Sequence, residues 1–114
     1  MDEPQMKEFN PYDLTDEFEA QYKKLADAEA QLSEVEMLKP IIKANEMLKS
    51  QASSLGAKEM EATASDAFGK VCEAIVLATK NAKLEKGALE LIKIKWETWR
   101  TEQANNRQIE KYTR

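Results

Sequence analysis

The side chains that usually perform catalysis are sparse in this sequence and poorly arranged for it. There is no histidine among the 114 residues. That removes the usual general base, the commonest metal ligand, and both Ser-His and Cys-His nucleophile pairs. The single cysteine, Cys72, falls on an apolar helical stripe and reads as core rather than as a reactive thiolate. One cysteine excludes an internal disulfide and points to a reducing compartment. The carboxylates group as Asp13/Asp16/Glu17, Glu34/Glu36 and Glu59/Glu61. They lack the Glu-x-x-His pairs of a di-metal bundle site, and most fall on solvated faces. No Gly-rich phosphate loop or dinucleotide fingerprint is present. The expectation is a non-enzyme, with no catalytic residue, no metal site and no cofactor.

A different chemistry is suggested near the C-terminus. The stretch Lys93-Ile94-Lys95-Trp96-Glu97-Thr98-Trp99-Arg100 is followed by Asn105-Asn106-Arg107, Lys111, Tyr112 and Arg114. Cations interleaved with aromatics suit single-stranded nucleic acid, pairing phosphates while bases stack. The competing reading makes the tryptophans core and the cations favourable neighbours of a helix C-terminus. Charge is unevenly spread: residues 1–69 hold 15 acidic against 7 basic groups, and residues 70–114 hold 6 against 10. The whole-chain charge of −4 therefore does not exclude an anionic partner for the second half. Pairing of the two halves with each other accounts for the same asymmetry.

The elements that position these groups are helical. Apolar residues are 42% of the chain, with only 3 Gly and 3 Pro. That is too apolar for disorder and too poor in turn formers for a sandwich or barrel. Residues 1–13, with Pro4 and Pro11, read as a flexible arm, and 14–114 as a single helical-hairpin domain. Asp13 or Thr15 is the candidate cap of the first helix. Its stripe runs Leu14, Phe18, Tyr22, Leu25, Ala28, Leu32, Val35 and Leu38, close to the 3.5-residue coiled-coil period. Pro40 predicts a kink or break near 36–40. Ser53-Ser54-Leu55-Gly56 reads as a stop, with Gly56 at a position tolerating positive φ.

Thr63 or Ser65 would start a second helix. Its stripe is Phe68, Val71 (or Cys72), Ile75, Ala78, Ala82, Glu85, Leu89, Ile92, Trp96, Trp99 and Gln103. A connection over 57–63 makes the helices antiparallel. Folding about residue 60 sets Trp96 and Trp99 beside Phe18, Tyr22 and Leu25. Glu85, loosely matched by Asn45, either fixes register or turns to solvent through helix drift. Gly87 either permits a close helix crossing or is a tolerated defect.

The expected fold is an all-α, coiled-coil-like antiparallel hairpin, completed by oligomerisation. Its core and oligomer residues are Phe18, Tyr22, Leu25, Ile75, Leu89, Ile92, Trp96 and Trp99. No apolar run approaches the roughly 18 residues of a membrane span, and the polar, acidic N-terminus is unlike a signal peptide. A cytoplasmic protein without membrane contact is expected.

The Tyr22/Ala26 spacing and the ending Trp96-Glu97-Thr98-Trp99-Arg100-Thr101-Glu102-Gln103-Ala104-Asn105-Asn106-Arg107 carry a resemblance. In pattern, residues 14–112 resemble small helical proteins of bacteriophage recombination regions, of the UvsY type of recombination mediator. The resemblance implies a homo-oligomer that binds single-stranded DNA and helps load a recombinase. Lys93, Lys95, Arg100, Arg107, Lys111 and Arg114 would then be phosphate contacts. The chain departs from that type in being acidic overall and in lacking a dense Lys/Arg cluster in its first helix. The alternative is a protein–protein interaction module, such as a phage inhibitor of a host defence complex. There the acidic residues Asp13, Asp16, Glu17, Glu19, Asp27, Glu29, Glu34 and Glu36 would mimic nucleic acid.

Overall fold

The computed structural model describes residues 10–113. Three helices follow one another: α1 (Pro11–Lys49), α2 (Leu55–Thr63) and α3 (Asp66–Thr113). No strand occurs among the described residues. The chain is an all-α, antiparallel helical hairpin of α1 and α3, measuring 88 × 37 × 17 Å.

α1 starts earlier than Asp13 or Thr15. The Asn10 side chain accepts a hydrogen bond from the Tyr12 N–H at 3.0 Å, and Pro11 occupies the first turn. There its missing N–H costs nothing and its fixed φ is already helical. Residues 1–9 of the expected arm lie outside the described residues. Pro40 does not break α1, which continues through it to Lys49. Glu36 and Pro40 are both exposed, so the carbonyl that loses its helical donor is on the wet side.

The stop falls before Gly56. The Ser50 N–H bonds the Glu46 and Met47 carbonyls at 3.1 and 3.2 Å, and its hydroxyl accepts from the Ala52 N–H at 3.2 Å. That hydroxyl also donates to the Glu61 carboxylate, tying the end of α1 to α2. Ser54 caps α2 by accepting from the Ala57 N–H at 3.1 Å. Gly56 is therefore helical, and no described glycine has positive φ. Of the two candidate starts for α3, Ser65 is the one used. Its hydroxyl accepts from the Phe68 N–H at 3.2 Å and donates to the Ala62 carbonyl at 2.7 Å.

α2 turns what was expected as a connection into a helix, and this moves the fold point. The cross-hairpin contacts are Glu17 with Lys95 (3.7 Å), Gln21 with Glu85 (3.0 Å) and Lys39 over the Phe68 ring (5.7 Å). They centre the hairpin near residue 54 rather than 60. Trp96 accordingly sits beside Leu14 and Phe18, about three turns from the level of Leu25. Tyr22 is 59% exposed instead of lying in an aromatic cluster.

The buried apolar residues are Leu14, Ala62, Val71, Ala78, Ala82, Leu89 and Ile92. Leu25 and Ile75 are half-buried on the same seam. Three of these seven are alanine, so the helices approach closely but remove little apolar area from water. Met37, Ile41, Leu77, Leu84, Leu91 and Ile94 are all more than half exposed. No helix among the described residues is long and apolar enough to cross a membrane.

Candidate nucleic-acid interface

Glu85 lies on the seam rather than in solvent. The Gln21 side-chain amide donates to both the Glu85 carbonyl (3.0 Å) and its carboxylate (2.5 Å). Asn45, loosely matched to Glu85 in the sequence, is exposed; Gln21 is the residue of α1 at that level. This polar pair pins α3 against α1 and fixes which side chains line the two grooves of the hairpin.

One groove is lined by Leu14, Thr15, Phe18, Ile92, Lys93 and Trp96. Phe18 is 37% exposed and Trp96 38%, so each buries one side and leaves the other to solvent. Trp99 stacks against Trp96 at 5.2 Å between ring centroids, tilted by 31°, and is half-buried. Tyr22 lies one helical turn beyond Phe18 on α1 and continues the aromatic line.

The cations predicted as phosphate contacts do not all converge. Lys93 lies on this groove and also reaches Glu90 at 3.4 Å. Lys95 points to the opposite groove and pairs with Glu17, among Ala20, Lys24 and Leu91. Arg100, Arg107 and Lys111 are exposed on the last part of α3. Arg114 lies outside the described residues. Lys93, Arg100 and Arg107 follow one another at seven-residue steps, and Lys111 returns to the same line five turns beyond Lys93. Lys86 begins this row and was missed from the sequence. Its signal was the heptad spacing itself, which a search for local Lys/Arg density passes over.

α3 is longer than α1, about 72 Å against about 58 Å at 1.5 Å per residue. In the observed register Pro11 is level with the region just after Trp96. The final stretch of α3 therefore runs past the start of α1, and residues 104–113 are exposed all round. The row thus begins on the hairpin and continues onto a projecting helix. Its neighbours on one side are Glu90 and Glu97, so the surface is a narrow cationic line rather than a broad basic patch. Cys72 is half-buried on α3. No group of three acidic or thiol side chains suited to a metal ion occurs among the described residues.

No known family model, curated protein or solved structure matches this chain.

Proposed function

We propose that the chain is a non-catalytic accessory protein that holds single-stranded nucleic acid along one face of the hairpin. The observation that carries the reading is the groove in which half-exposed Phe18 and Trp96 lie beside Lys93. Lys86, Arg100 and Arg107 extend that cation along α3. Half-exposed rings provide faces for bases to stack on, at about 1–3 kcal/mol per base, and the row of cations follows a phosphate backbone. Single strands suit this surface because their bases are free to turn toward the rings, whereas a duplex hides them. Support of a recombinase, as in mediators of the UvsY type, is the role this reading fits.

Anisotropy of a labelled single-stranded oligonucleotide, titrated across a salt series, tests it. Four phosphate contacts give a slope of log K against log salt of about −3. Arg100→Ala and Arg107→Ala should each make that slope shallower by about 0.7. Trp96→Ala should weaken binding about tenfold or more, without changing the slope. Absence of binding at low salt removes the reading.

A second reading has its own supporting observation. Asp13, Asp16, Glu17, Glu19, Asp27, Glu29, Glu34 and Glu36 are all exposed along α1, with Met37, Leu38, Ile41 and Leu48 exposed beyond them. An acidic helix with an apolar end suits a basic protein groove, as in an inhibitor of a nucleic-acid-binding host complex.

A further inference from the structure

α3 carries a second seam outside its buried contact with α1, bordering the groove of Glu17 and Lys24 at Leu91 and Ile94. Leu77, Leu84 and Leu91 recur every seven residues and are 59%, 61% and 62% exposed. Lys80, Gly87 and Ile94 fall between them at alternating steps of three and four. Such spacing is the signature of a helix prepared for another helix. α1 does not use it, because α1 already covers Val71, Ala78, Ala82, Leu89 and Ile92.

Gly87 occupies the middle of this seam. A Cβ there would meet nothing within 4 Å, so nothing in the hairpin requires glycine, although glycine weakens a helix interior. A helix packed from outside does give a reason: without a side chain at the crossing point, two backbones approach closely.

We propose that the outer seam of α3 binds the same seam of a second copy, antiparallel, with Gly87 at the crossing. The charges select both partner and direction. With the helices crossing at Gly87, Leu84 of one copy meets Leu91 of the other. Lys80 packs on Ile94 with its ammonium between Glu90 and Glu97 of the second copy, and Lys83 comes beside Glu90. Two-fold symmetry repeats each contact. A parallel pair would instead set Lys80 against Lys80 within the seam and hold Lys83 and Glu90 on opposite sides of the interface, so that no Lys83–Glu90 contact forms. The four-helix assembly that results covers the exposed leucines of α3. This proposal is independent of the nucleic-acid reading.

Sedimentation equilibrium of the full chain at micromolar concentrations, with crosslinking of cysteine variants, tests it. The expected result is a dimer. Leu84→Glu should weaken it about a hundredfold while leaving the helical circular dichroism of the single chain unchanged. Lys83→Glu should weaken it up to about tenfold, and adding Glu90→Lys should restore it. In a Cys72→Ser background, Gly87→Cys should form an intermolecular disulfide, and Leu77→Cys should not. A monomer throughout this range overturns the proposal. So does a dimer indifferent to Leu84→Glu, or one in which Leu77→Cys crosslinks to itself. Because Glu90 also pairs with Lys93, oligonucleotide affinity is read on the unsubstituted chain by its own titration, and the dimer is judged by sedimentation and crosslinking alone.

Discussion

Gln21 and Glu85 place a polar contact inside a seam otherwise made of Leu, Ile, Val and Ala, and both are half-buried. A hydrogen bond to a charged group in such a setting contributes about 1.5–3 kcal/mol, less where water reaches it. Gln21→Ala and Glu85→Ala should each cost about 1–2 kcal/mol in urea denaturation. The double variant should cost about 1 kcal/mol less than the two singles together. Replacing both by Leu should leave stability equal or higher, because an apolar pair removes the desolvation cost. Its effect should appear elsewhere, as more than one distance between spin labels on α1 and α3. Apolar seams slide by whole heptads at little cost, and a polar pair does not.

Among the elements, α1 contains the clearest internal conflict, a proline in the interior of a continuous helix of 39 residues. Burial of Leu14 and the half-buried line through Leu25, Leu32 and Val35 holds the helix together across it. Pro40→Ala should therefore raise stability by about 1–3 kcal/mol, read as a higher denaturation midpoint at unchanged slope. The helical faces of α1 and α3 were legible in sequence because a 3.5-residue stripe survives any choice of partner. Register was not, because it depends on where the chain turns. Leu55–Thr63 is nine residues long and opens with Leu-Gly, so it reads as a loop while folding as a helix. That misreading displaced Trp96 from Tyr22 and Leu25 to Leu14 and Phe18. The start of α1 was hidden for a related reason: Asn10-Pro11 looks like a break, but an asparagine before a proline is also how a helix begins. The basic row was visible only in part, since Lys86 belongs to it by period and not by proximity to the tryptophans.

Taken whole, the molecule is a thin plate with a projecting rod. The plate is held by the α1–α3 seam, and the rod is the last part of α3. Removing residues 104–114 should change the unfolding free energy of the hairpin by no more than about 0.5 kcal/mol, because residues 104–113 are exposed throughout. The same truncation should lower oligonucleotide affinity, since Arg107 and Lys111 go with it. A lone helix of this length is only marginally stable in water and takes its order mainly from what it touches. Its backbone amides should accordingly exchange with deuterium far sooner than those around Leu89, and slow when a ligand settles on them. The tip of α3 would then register occupancy directly, letting mass spectrometry locate a binder without a label or a knowledge of its identity.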